Sequence, residues 1–228
     1  MLLPMACVNS NAIADRDFFR STPNLLTNTL MDVVIGVADA RHEVYADAIV
    51  EAIFQAAQQR GTGIAKRTPE YIITKMREGK AIIALTPSGE FAGFCYVETW
   101  EHGRYVANSG LIVVPEFRKH NLARAIKRAA FELSRQRYPD AKIFGITTSA
   151  AVMKINSELG YKPTHFADLT KDEDFWNGCK SCPNIDILTR TNRTMCLCTG
   201  MMYDPAADPA TASSALVQIS LPSSESTP

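Results

Sequence analysis

The stretch Leu111-Ile-Val-Val-Pro115 followed by Glu116-Phe-Arg-Lys-His-Asn-Leu-Ala123 decides the fold. It reads as an apolar strand, a turn, and the start of an amphipathic helix over residues 121–137. The apolar stripe of that helix is Leu122, Ile126, Ala129, Ala130 and Leu133. Arg118, Lys119 and His120 stand at the positive end of the helix macrodipole, where each costs a few tenths of a kcal/mol. An anion on the helix N-terminus, which we read as a diphosphate, removes the misfit, because free backbone N–H groups and cationic side chains then converge on it. The plainer alternative is an ordinary exposed basic helix start.

Working outward, the preceding chain alternates between periods. Val33–Ala38 predicts a strand and residues 42–59 a helix. Arg60-Gly-Thr-Gly-Ile-Ala-Lys-Arg67 is a basic loop, and Thr68-Pro69-Glu70 is a helix start with a hydroxyl cap and Pro in the first turn. That helix should end near Arg77. Ala81–Leu85, Phe91–Trp100 and Tyr105–Val114 then predict a three-strand meander with a turn at Pro87-Ser-Gly89. After the central helix come a strand over 141–147, a helix over 150–159 capped by Ser149 and stopped by Gly160, and a strand over 161–166. This is a mixed α/β (α+β) sheet with an antiparallel front and a βαβ-like back. The expected organisation is an irregular segment over 1–30, a main domain over 31–170, a Cys-rich extension over 171–205 and a disordered Ala/Ser/Thr/Pro tail over 206–228.

Lys plus Arg and Asp plus Glu each number 24, so the net charge is zero, which argues against nucleic acid as a partner. No apolar run approaches the roughly 20 residues of a membrane span, so no membrane partner is expected. Met1–Cys7 lacks the basic, long-apolar build of a signal peptide, and a cytoplasmic location follows as the expectation. The six cysteines then read as thiols or metal ligands rather than disulfides.

Val113–Ala123, the helix and strand after it, and Asn156–Tyr161 resemble the acyl-CoA-binding half of the GNAT acyltransferase superfamily. That family carries Gln or Arg, two residues, Gly, one residue, then Gly or Ala; here the positions are Arg118, Asn121 and Ala123. The resemblance implies a GNAT acyl-CoA N-acyltransferase fold with acetyl-CoA or another acyl-CoA as donor. It implies that Arg118, Lys119, His120, Asn121, Leu122 and Ala123 hold the CoA diphosphate, and that Leu111, Ile112, Val113 and Val114 pair with the pantetheine arm. Arg124, Lys127 and Arg128 either reach a 3′-phosphate or face solvent. Asn121 replaces the family's Gly, and Asn tolerates a left-handed backbone better than other non-Gly residues. Four residues before Gly160 the family has a tyrosine that protonates the leaving thiolate; this chain has Asn156, which leaves the general acid open.

Residues 60–71, 91–101, 142–161 and 178–205 together resemble bacterial N-acetylglutamate-synthase-like proteins of arginine biosynthesis. The resemblance implies a small-molecule amine partner, glutamate or a related amino acid. Another small amine, a protein lysine, or a non-catalytic CoA- or zinc-binding role are the alternatives, and a homodimer is one option for assembly.

An amine must lose a proton to attack a thioester. Tyr96, Glu98 and Trp100 share a strand face by the period of two. If that face looks into a cleft, Glu98 is the base; otherwise it is a solvent-facing glutamate. Glu101 and His102 are weaker candidates, and Asn108 and Ser109 could orient substrate. Arg60, Lys66 and Arg67 could grip a carboxylate, or form a solvated loop. Cys179-x2-Cys182-x13-Cys196-x-Cys198 fits a structural zinc site on a hairpin of 184–188 and 195–198; buried thiols and a redox or iron–sulfur role stay open. Cys7 reads as a tail residue and Cys95 as a core residue.

Overall fold

The apolar runs flanking Pro87-Ser-Gly89 pair as expected, and they seed the sheet. The computed structural model describes residues 33–61 and 66–208. Among these, β1 (Val34–Val37), β2 (Ala81–Leu85), β3 (Phe91–Trp100), β4 (Tyr105–Val113), β5 (Lys142–Thr147), β6 (Lys162–Thr164) and β7 (Thr199–Tyr203) form one sheet. Its order is β1-β2-β3-β4-β5-β7-β6. The β4–β5 pair is parallel and the other neighbours are antiparallel. Helices α1 (Ala46–Arg60) and α2 (Pro69–Arg77) cover one face, packing on Phe94, Tyr96 and Ile112. Helices α3 (Leu122–Arg137) and α4 (Ala150–Glu158) cover the other, against Cys95, Val97 and Val113. Successive β3 side chains thus go to opposite layers. The Thr68 hydroxyl accepts from the Tyr71 N–H at 3.3 Å and starts α2, as its sequence predicts.

Strand β4 is bent at one place. Phe94 pairs with Ile112, and Tyr96 pairs with Ser109, so three steps on β4 match two on β3. The extra residue is absorbed at Gly110, whose φ is +64°. A Cβ there would overlap the Tyr96 ring. On its other side β4 pairs with β5 only from Tyr105–Lys142 to Ala107–Phe144, and beyond that the strands part.

The C-terminal part departs from expectation. The stretch expected as the first arm of a hairpin is helical: α6 spans Ile185–Arg190, after α5 (Glu173–Asn177). The regular strand comes later, as β7, and inserts between β5 and β6 of the main sheet. Its pull is apolar burial: Met201 and Tyr203 are 1% and 7% exposed. The boundary expected at 170 therefore falls inside the sheet. Residues 165–198 lie over β4 and β5, where Phe166, Leu169, Trp176 and Leu188 pack on Ala107 and Phe144. Glu101 ties this insert down. Its carboxylate accepts from the Thr170 hydroxyl (2.8 Å) and the Lys171 N–H (2.6 Å), a structural task rather than a base's. The Pro205–Ala207 turn ends the described chain at residue 208. The segments expected over 1–30 and over most of 206–228, and Cys7, lie outside the described residues.

Gly110→Ala is expected to destabilise the fold by about 2–5 kcal/mol, from a left-handed backbone without glycine and overpacking onto Tyr96. Urea unfolding measures this, and wild-type stability would contradict the bulge geometry.

Candidate active site

Where β4 and β5 part, a cavity of ≈ 410 Å³ opens. Ser109, Gly110 and Leu111 line one side of the cleft, and Gly145, Ile146 and Thr147 the other. Arg67, Tyr71, Tyr96, Glu98 and Trp100 continue the wall on the α1–α2 side. The insert over 165–198 closes it with Phe175, Asn184, Leu188 and the four clustered cysteines.

The turn before α3 has the backbone that its sequence foretold. Asn121 is left-handed at φ 62°, and Lys119 is as well at φ 70°. The Ala125 N–H bonds to the Asn121 carbonyl at 3.1 Å, so the N–H groups of Leu122, Ala123 and Arg124 precede the helical ladder. Lys119, His120 and Asn121 are exposed beside them. Arg118 turns back, donating from Nε to the Val113 carbonyl at 3.0 Å and bracing the strand end. The Val114 N–H goes to Ala92 on β3 at 3.1 Å, and Ile112 and Val113 are buried, so Leu111 is the member of that quartet that lines the cavity. Arg124 is held by Glu158 through two bonds of 2.7 and 3.0 Å and also donates to Asn121.

Glu98 is 5% exposed and faces the cavity, not solvent. The Tyr71 hydroxyl donates to its Oε1, and Arg67 Nη2 lies 3.7 Å from the same oxygen. Arg67 Nε donates to the Tyr96 hydroxyl at 2.6 Å, with the guanidinium over the Tyr71 and Tyr96 rings. Burial, then the Glu98 charge, raises the pKa of both tyrosines, so they stay protonated donors. Burial opposes the Arg67 charge, but Tyr96 and Glu98 more than offset it and its pKa is raised. Of the three loop cations, Arg67 reaches the cavity and Lys66 is exposed outside it; the Arg60 side chain lies outside the described atoms. Tyr71 was not among the sequence candidates. Its signal was the spacing of four from Arg67 across the Thr68 cap.

Three sequence candidates direct their side chains away from the cleft, although Asn108 is among the residues that line it. Asn108 pairs with Val97, so its side chain points to the α3 layer. There it donates to Ser134 at 2.8 Å and accepts from Tyr161 at 3.0 Å. Asn156 is 1% exposed behind β5, its Nδ2 3.7 Å from the Met201 sulfur, and it is not among the cavity's lining residues. Lys127 is 2% exposed with Nζ 5.1 Å from the Tyr161 ring centre, so it cannot meet a phosphate in solvent. Cys95 is in the core, as expected.

Cys179, Cys182, Cys196 and Cys198 are half-buried free thiols in the cavity wall. Burial, with the neighbouring thiols, pushes Cys179 up to about 11 and Cys198 up to about 12, which keeps both protonated. Among the described residues no three of His, Cys, Asp or Glu are arranged to hold a metal ion. The expected zinc site is thus not supported.

No family model matches the sequence, and no curated protein matches it. Solved structures do. N-acetylglutamate synthase from Neisseria gonorrhoeae, complexed with coenzyme A and N-acetyl-glutamate, is similar over 75% of this chain at 14% identity and TM-score 0.53; the match spans 35% of that chain. A Mycobacterium tuberculosis protein in complex with CoA matches over 75% of this chain and 98% of its own, at 15% identity and TM-score 0.52. A GNAT superfamily phosphinothricin acetyltransferase from Sinorhizobium meliloti in complex with AcCoA matches over 76% and 89%, at 12% identity and TM-score 0.51. The likeness is one of fold, and the fold is that of the GNAT acetyltransferases.

Lys127 gives the domain a pH signature. Burial pulls its pKa from 10.5 down to about 8. Between those values the unfolded chain binds more protons than the folded one, so this group's contribution to stability rises as pH climbs past 8. Lys127→Met is expected to raise stability at pH 7 by roughly 2 kcal/mol or more. The gap from wild type should narrow toward pH 10 in urea melts; a gap independent of pH would refute the buried-cation assignment.

Proposed function

We propose that the protein is an acyl-CoA-dependent N-acyltransferase that moves an acetyl or similar acyl group to the amine of a small molecule. The observation that carries this reading is the cleft between β4 and β5, together with the left-handed, cation-bearing turn that follows β4 at the start of α3. The turn fits the donor: N–H groups ahead of the α3 ladder and the exposed Lys119 and His120 suit a diphosphate. CoA, when bound, supplies the acyl group as a thioester. The chain's own part is to bring an amine to the cleft beside Glu98, which takes its proton. Tyr71 and Arg67 fix that carboxylate, and the insert keeps bulk water from it. The N–C bond forms as the C–S bond breaks, by direct attack and with no acyl group on the protein.

We favour glutamate or a related amino acid as acceptor, within arginine biosynthesis and in the cytoplasm. The wording of the subgroup supports this, as do the similarity to a structure of N-acetylglutamate synthase and Arg67 in the cavity wall. A second reading, another small amine, is favoured by one observation. Among the described residues Arg67 is the cation lining the cavity, and Glu98 already shares it.

Calorimetry should show acetyl-CoA binding, and thiol release should depend on an amine. Glu98→Gln is expected to cut turnover by about 100-fold or more while leaving CoA affinity intact. Failure to bind acetyl-CoA sinks the proposal, and full activity of Glu98→Gln sinks the base.

A further inference from the structure

Two buried donors in the cavity wall have no partner among the described residues: the indole N–H of Trp100 and the carboxamide Nδ2 of Asn184. Buried polar groups in folded proteins are nearly always paired, and leaving a donor unpaired costs the desolvation it gave up. Other tryptophan chemistry in the same region obeys this rule: the Trp176 indole N–H donates to the Thr170 carbonyl at 2.9 Å. The two orphans come from different elements, one from the end of β3 and one from the turn before α6. They share a cavity whose wall also carries Phe144, Asp174, Phe175, Cys179 and Leu188. Among these residues Asp174 alone carries an acceptor of ordinary strength, and neither donor is bonded to it.

We propose that Trp100 and Asn184 position the acyl acceptor by donating to a carboxylate that it carries. The proposal rests on the acyl-transfer reading above and adds the residues that would read an acceptor in which an amine is joined to a carboxylate by a short carbon chain. The spacing along β3 agrees with it. Trp100 is two residues beyond Glu98 on the same strand face, about 7 Å along β3. The amine end thus meets Glu98, where Arg67 also sits, and the carboxylate end meets two neutral donors. The insert over 165–198 becomes the reader of the acceptor, and Asn184 its contact.

The test compares γ-aminobutyrate with n-butylamine, which differ in the terminal carboxylate, and includes L-glutamate. With acetyl-CoA and the full chain, kcat/KM for either carboxylate-bearing amine should exceed that for n-butylamine by about tenfold or more, mainly through KM. In Trp100→Phe and in Asn184→Leu that ratio should collapse toward one. Should Trp100→Phe fail to fold, Asn184→Leu carries the test. Equal rates for n-butylamine and γ-aminobutyrate in the wild type overturn the proposal, as does an unchanged ratio in the folded variants. Calorimetric binding of the same amines to the CoA-loaded protein separates the two claims. A carboxylate preference in binding without turnover defeats acyl transfer but keeps this assignment, whereas no preference, or no binding at all, defeats the assignment.

Discussion

Parallel pairing between β4 and β5 lasts for three residue pairs and then stops. The cause is local. Gly110 takes a left-handed turn under the Tyr96 ring, and the bulge it creates draws β4 toward β3 and away from β5. Two strands that stay hydrogen-bonded leave no room between them; two that part present unpaired backbone edges and a gap. The cavity, the exposure of Leu111 and Gly145 to it, and the approach of Glu98 from the adjacent strand all follow from that one interruption.

Around the gap the charges are held in a closed arrangement. Glu98 is desolvated, and a buried carboxylate survives only with donors and a cation close by. Tyr71 and Arg67 supply them, and Tyr96 in turn fixes Arg67. The arrangement leaves the carboxylate oriented by neighbours that cannot themselves lose a proton near neutrality. The far wall is lined by rings, thiols and the carboxylate of Asp174, with Cys179 and Cys198 held protonated.

The strands β2 and β3 and the cap of α2 were legible because each is set by local chemistry: a Pro-Gly turn, apolar runs, a hydroxyl before Pro. Asn121 was legible for the same reason, since a left-handed residue ahead of a helix leaves few choices. Lys127 was not. A stripe drawn from Leu122, Ile126 and Ala130 places it at the border, and only the packing of α3 against Tyr161 widens the buried face to include it. Asn108 was legible as a cleft residue, but only the register with Val97 shows that its side chain enters the α3 layer. The insert was hidden for a different reason. Residues 185–190 are apolar enough for either helix or strand, and the choice is made by the Phe144 and Ala107 surface beneath them.

The position of β7 bears on how the chain is made. It lies between β5 and β6, yet it is synthesised after the whole 165–198 insert. Until residue 203 leaves the ribosome, β5 presents a bare edge on the side that β7 will cover, and β6 has no neighbour to join. The emerging chain therefore carries an unprotected strand edge for the time it takes to make that insert, at the stage when nascent chains are most prone to stick to one another. The last strand shuts that edge and pins down the far end of the insert in the same step. The molecule cannot present a finished sheet without also having its cavity walled.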